Sequence, residues 1–62
     1  MRDWSACTID DLRIGNVIDV SGEQFEVTGK GPVPKAVGKY YVYTRGGPTI
    51  ERYFNDTIEV YR

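Results

Sequence analysis

Hydrophobic and polar residues alternate with a period of two in several short segments between residues 16 and 61. Such alternation is typical of strands that bury one face and expose the other. Turns rich in glycine, proline, asparagine and aspartate separate the segments, and this spacing favours a small all-β barrel or sandwich. The predicted strands cover residues 16–20, 23–28, 39–44, 49–54 and 58–61.

The same alternation assigns the faces of the strands. In the aromatic strand 39–44 we place Tyr40 and Val42 toward the core, so that Tyr41 and Tyr43 face outward; the opposite register is the alternative. Ser21-Gly22 can supply the positive φ angles of a tight hairpin turn. The other residues predicted to face the core are Ile18, Val20, Phe25, Val27, Ile50, Phe54, Ile58 and Val60, with Arg52 at the rim of the barrel.

Two segments lack the strand pattern. Residues 1–11 are interpreted as an irregular lead-in, in which Trp4 covers one open end of the barrel and Thr8 begins a single helical turn. Residues 29–38 are interpreted as an irregular loop, because prolines remove backbone donors and glycines resist ordering. The apolar residues of the helical turn that we expect to pack under the barrel are Ile9, Leu12 and Ile14.

Length and composition limit the classes of function. A chain of 62 residues is one domain, 1–62, and a barrel of this size has little interior for a catalytic pocket. Cys7 is the only cysteine and there is no histidine, so the sequence predicts no disulfide, metal site, cofactor or catalytic residue. The lone thiol and the lack of a long apolar run favour a cytoplasmic protein. The small interior favours a protein that is not an enzyme.

Charge is distributed unevenly along the chain. Residues 1–26 hold two basic and six acidic residues, whereas residues 27–50 hold four basic residues and no acidic one. The middle third is therefore basic, glycine-rich and aromatic within a chain of net charge −1. This segment is either a solvated loop or a surface that faces an anion or a nucleic acid.

Residues 11–18 (DLRIGNVI), 21–27 (SGEQFEV) and 50–54 (IERYF) resemble strands of the N-terminal KOW-like domain of elongation factor P. The resemblance implies a five-stranded SH3-like barrel over residues 11 to 60. That family has a modified lysine in a Pro-Gly-Lys-Gly loop; the nearest match, Pro34-Lys35-Ala36, lacks the glycines, so the modification is not carried over. A free-standing barrel of this kind also resembles small accessory proteins of bacteriophages and prophages.

Two hypotheses of function follow from these features. The first is a protein-interaction module that presents a set of outward tyrosines to a partner: Tyr41, Tyr43, Tyr53 and Tyr61. The second is a module that binds RNA or single-stranded DNA through the basic loop and the neighbouring tyrosines. The overall acidity favours the first, and we expect either a monomer or a weak dimer through an unpaired edge strand. The candidate binding residues are Lys30, Lys35, Lys39, Tyr41, Tyr43, Arg45, Arg52 and Tyr53.

Overall fold

The computed structural model describes residues 3–62 and is all-β, with six strands in one open antiparallel sheet. The order of strands across the sheet is β1-β6-β2-β3-β4-β5. β1 and β5 are the two edges and do not pair with each other, so the sheet differs from the predicted five-stranded barrel both in strand number and in closure. The strands are β1 (Trp4–Cys7), β2 (Val17–Val20), β3 (Glu23–Pro32), β4 (Lys39–Thr44), β5 (Ile50–Tyr53) and β6 (Ile58–Tyr61).

The additional strand is β1, and the interpretation of residues 1–11 as an irregular lead-in is wrong for Trp4–Cys7. β1 pairs along its whole length with β6, from Trp4 opposite Tyr61 to Cys7 opposite Ile58. The Trp4 ring packs 5.2 Å from the Tyr61 ring, centroid to centroid, and therefore lies on the sheet instead of covering an end of it. Met1 and Arg2, the first residues of the predicted lead-in, lie outside the described residues.

The hairpin between β2 and β3 has the predicted two-residue turn. Ser21 and Gly22 have φ angles of 52° and 88°, which is the backbone of a type I′ turn. The twist of this turn matches that of antiparallel strands, so Val20 pairs directly with Glu23. The turn sets the register that places Ile18 opposite Phe25 on one face.

β3 is longer than predicted, because it continues through Gly29-Lys30-Gly31-Pro32 and pairs with β4. The first half of β3 pairs with β2 and the second half with β4, with a register shift between Val27 and Gly29. A bulge of this kind bends a strand and increases its twist. Pro32 is tolerated because it is the last residue of the strand. The loop predicted for residues 29–38 is therefore limited to residues 33–38.

The core lies on the concave side of the bent sheet and includes two residues of the predicted helical turn, a 3₁₀ turn at Ile9–Asp11. Ile9 and Leu12 are buried as predicted, but Ile14 is 75% exposed. Phe54, predicted to face the core, is 58% exposed, because β5 ends at Tyr53 and Phe54 begins a turn, so that the alternation of the strand does not extend to it. The buried residues are Cys7, Ile9, Leu12, Ile18, Val27, Val42, Ile50, Ile58 and Val60.

Candidate functional site: an outward tyrosine face

The outer surface of β4 and β5 carries an aromatic patch, which we call the tyrosine face: Lys39, Tyr41, Tyr43 and Tyr53. Val42 is fully buried, so its neighbours Tyr41 and Tyr43 lie on the opposite side of β4. Lys39 pairs with Tyr53 across the two strands, which adds both side chains to the same surface. The register predicted for strand 39–44 is the one observed.

The tyrosine rings are accessible and close together. Tyr41 and Tyr43 have ring centroids 6.0 Å apart and planes tilted by 36°. Tyr43 is 41% exposed and Tyr53 is 50% exposed, while Tyr41 is half-buried. Such rings combine a large apolar area with a hydroxyl that can hydrogen-bond, a combination enriched at protein interfaces.

Two glycines of β3 leave the surface beside these rings open. Gly29 is opposite Tyr43 and Gly31 is opposite Tyr41. A Cβ at position 29 would lie 3.5 Å from Tyr43 Cδ2, so the Tyr43 ring partly covers that backbone, whereas a Cβ at position 31 would meet nothing within 4 Å. A shallow track, open above Gly31 and partly covered by the Tyr43 ring at Gly29, therefore runs along β3 next to the tyrosines.

An ion pair lies at each end of the tyrosine face. Lys39 Nζ is 3.7 Å from Glu51 Oε1 and also 5.6 Å from the centroid of the Tyr53 ring, a cation–π distance. Arg45 Nε is 3.2 Å from Glu26 Oε1 and donates a hydrogen bond to it. The two cations of this surface are therefore each neutralised by a carboxylate.

The other predicted basic residues lie elsewhere. Lys30 is opposite Val42, on the concave side of the sheet, and its ammonium donates to the Ile9 carbonyl at 2.6 Å. Arg52 is opposite Tyr40, on that same side, and donates to the Glu51 carbonyl at 2.7 Å. Lys35 is in the turn after β3, with a φ of 64°. Of the eight candidate residues, five thus lie on or at the end of the tyrosine face, Lys30 and Arg52 lie on the concave side, and Lys35 lies in the turn.

The sequence interpretation missed four contributors to the tyrosine face: Gly29, Gly31, Glu26 and Glu51. The two glycines were assigned to a loop, although they are two residues apart, as residues on one face of a strand are. Glu51 and Lys39 are distant in sequence and come together only because β4 pairs with β5.

Residues 3–62 contain no cluster of metal ligands and one buried thiol. No three of their histidine, cysteine, aspartate or glutamate residues cluster as a metal site would require. Cys7 is a free thiol that is 4% exposed, and burial raises its pKa above the ordinary value of 9.0. Within the same residues no helix is long and apolar enough to cross a bilayer.

Comparison of the chain with protein-family models, with curated proteins and with solved structures finds no match.

Proposed function

We propose that the protein is a small non-enzymatic module that binds a protein partner through the tyrosine face. The observation that carries the proposal is the surface itself: accessible tyrosines on consecutive outward positions of β4, beside backbone that glycine leaves uncovered. An extended segment of a partner can lie along Gly29 and Gly31, place apolar groups against the rings and receive hydrogen bonds from the tyrosine hydroxyls.

The charge of the surface favours a polypeptide partner over a nucleic acid. Both cations that flank the tyrosines are paired with glutamates, so little positive potential is available to attract phosphate. Lys30 and Arg52 belong to the opposite side of the sheet. A nucleic-acid module needs its basic residues and its stacking rings on one surface.

The proposal includes an SH3-like arrangement of the sheet and a cytoplasmic setting. Two observations support the SH3-like arrangement. The chain resembles the KOW-like domain of elongation factor P, and β3 is bent and shared between the two halves of the sheet. A free, buried thiol at Cys7 is consistent with the cytoplasmic setting.

The experiment is selection of peptides from a displayed random library against the folded protein, followed by titration of a selected peptide. We expect amide shifts at Gly29, Gly31 and residues 39–45, and loss of binding in the double variant Tyr41→Ala/Tyr43→Ala. Tyr61→Ala, which removes a tyrosine from β6 instead, is the matched control and should bind as the wild type does.

A second variant blocks the track without touching a tyrosine. Position 31 has an ordinary backbone conformation, and the space beside it is open in the wild type. Gly31→Thr places a branched side chain in that space, so the fold should persist while peptide binding falls at least about tenfold. Unfolding of the double tyrosine variant together with unchanged binding by Gly31→Thr would contradict the proposal.

Titration with single-stranded RNA and DNA at low salt tests the alternative. Binding that weakens steeply with salt and shifts residues 30–45 would replace the protein-interaction proposal with a nucleic-acid one. The paired cations predict no such binding.

A further inference from the structure

A second candidate site lies between the turn that precedes β2 and the middle of β3. We call it the turn cleft; its volume is about 480 Å³, within the range of about 300–1,000 Å³ that is usual for small-ligand pockets. Its lining residues are Leu12, Arg13, Ile14, Val27, Gly29 and Lys30.

The walls of the turn cleft are held in place by hydrogen bonds. The Arg13 N–H donates to Asn16 Oδ1 at 2.8 Å, and the Asn16 N–H donates back to the Arg13 carbonyl at 3.1 Å. The turn is joined to β3 because Val27 donates to the Asn16 carbonyl at 2.7 Å and Gly15 donates to the Val27 carbonyl at 2.8 Å. The cleft is therefore formed before any ligand arrives, which lowers the entropic cost of binding.

Two different chemistries meet in the turn cleft. Leu12 and Val27 lie beneath the cleft and are fully covered already, so the accessible apolar surface is that of Ile14, which is 75% exposed. An isoleucine this exposed gains little from folding, but it would lose contact with water if a ligand covered it. This apolar wall accepts an aliphatic group.

The rim is cationic. Lys30 spans from β3 to the 3₁₀ turn, where its ammonium donates to the Ile9 carbonyl at 2.6 Å; a lysine ammonium has two further N–H groups. Arg13 Nη1 is similarly held by the Asp10 carbonyl at 3.2 Å. Neither cation belongs to an ion pair among the described residues, where the pairs are Lys39–Glu51 and Arg45–Glu26. Asp10 and Asp11 belong to the neighbouring turn but do not line the cleft.

From this juxtaposition we propose that the turn cleft binds a small aliphatic carboxylate. Its hydrocarbon chain lies against Ile14, above the buried Leu12 and Val27, and its anionic head lies between the side chains of Arg13 and Lys30. Charge complementarity selects the head group, because only an anionic head can form ion pairs with these two cations. The site shares Gly29 with the margin of the tyrosine face but includes none of the tyrosines, and it does not depend on the function proposed for that face.

The test is titration of the full chain with octanoate, below its micelle concentration, followed by amide chemical shifts. We expect saturable shifts confined to residues 12–16 and 27–30. Acetate, which lacks the chain, and 1-octanol, which lacks the charge, should each bind at least about tenfold more weakly. Octanol binding as tight as octanoate binding would overturn the proposal, as would shifts spread over the sheet or no binding at all.

Variants of the two cations complete the test. Arg13→Gln retains the backbone bonds of the turn and should weaken octanoate about fivefold, while Arg52→Gln, a cation outside the cleft, should not change it. Lys30→Met should weaken octanoate similarly while preserving the apolar stem. Because Lys30→Met also removes a structural hydrogen bond, Arg13→Gln is decisive: an unchanged affinity in that variant refutes the proposed role of the rim.

Discussion

Gly47 is so closely packed that adding a single methyl group to it should destabilise the fold. Gly47, in the turn between β4 and β5, lies against the ring of Phe25 on β3. A Cβ at position 47 would be 2.4 Å from Phe25 Cδ1, 2.6 Å from Phe25 Cε1 and 2.7 Å from Thr44 Oγ1. Real Cβ atoms do not approach other atoms so closely, so in Gly47→Ala either the Phe25 ring or the turn must move.

Three contributions set the change in the free energy of unfolding that Gly47→Ala should cause. Overpacking of this kind costs about 1–3 kcal/mol. Movement of Thr44 would also weaken the hydrogen bond that its hydroxyl donates to the Pro48 carbonyl at 2.8 Å, which is worth about 1 kcal/mol. The lower entropy of an alanine in the unfolded chain offsets about 0.4–1 kcal/mol. Gly47→Ala should therefore lower the free energy of unfolding by about 1–3 kcal/mol.

Urea unfolding followed by Trp4 fluorescence measures this change. Gly31→Ala is the matched control, because position 31 has open space and an ordinary φ; it should be neutral or stabilising by up to about 1 kcal/mol. For a domain of this size, the difference between the variants corresponds to a shift in Tm of about 4–8 °C per kcal/mol.

A second substitution tests whether the Phe25 ring causes the cost of Gly47→Ala. Phe25→Leu replaces the rigid ring, whose Cδ1 and Cε1 lie nearest to position 47, by two methyl groups that can rotate away, so Gly47→Ala should cost less in that background than in the wild type. Equal stability of Gly47→Ala and Gly31→Ala would refute the close packing of Gly47, and an unchanged cost in the Phe25→Leu background would refute Phe25 as its cause.

Three further predictions concern a buried bond, the thiol and the sheet edge. Lys30→Met should lower the free energy of unfolding by about 1–2 kcal/mol, measured in urea, because the Ile9 carbonyl loses its donor. Because burial raises the pKa of the folded Cys7 thiol, the unfolded chain ionises first as pH rises above 9.0, and we expect the protein to lose stability there. Cys7→Ala should abolish this part of the alkaline loss, and identical pH profiles of stability for the two proteins would contradict the prediction. Sedimentation equilibrium should show weak self-association through β1, whose residues are uncharged, and Ala6→Lys should abolish it; self-association unchanged by Ala6→Lys would exclude that edge.

The choice of β1 over β5 for self-association has a geometric reason. Antiparallel pairing of β5 with a second copy of itself, in one continuous sheet, brings either Glu51 opposite Glu51 or Arg52 opposite Arg52 at its centre. Like charges directly opposite each other are destabilising, so this edge is protected. β1 has no such charge between Trp4 and Cys7.

The sequence by itself determined the local features of this protein. Alternation assigned Val42 to the core and Tyr43 to the surface, because side chains in a strand must point to opposite faces in turn. The Ser21-Gly22 turn was predictable for a similar reason, since few residues tolerate its positive φ angles. The 3₁₀ turn that buries Ile9 and Leu12 was likewise indicated by its own residues.

Only the tertiary structure decided which segments pair and where the charges lie. Trp4–Cys7 has no strand pattern of its own and is a strand because β6 offers it an unpaired edge. Gly29 and Gly31 are ordered because β4 supplies hydrogen-bond partners and the Tyr43 ring covers one of them. The basic segment is continuous in sequence, but the bulge after Val27 and the strand pairing place its residues on two different faces of the sheet. Pairing between distant residues depends on the whole chain, and for that reason local pattern could not reveal it.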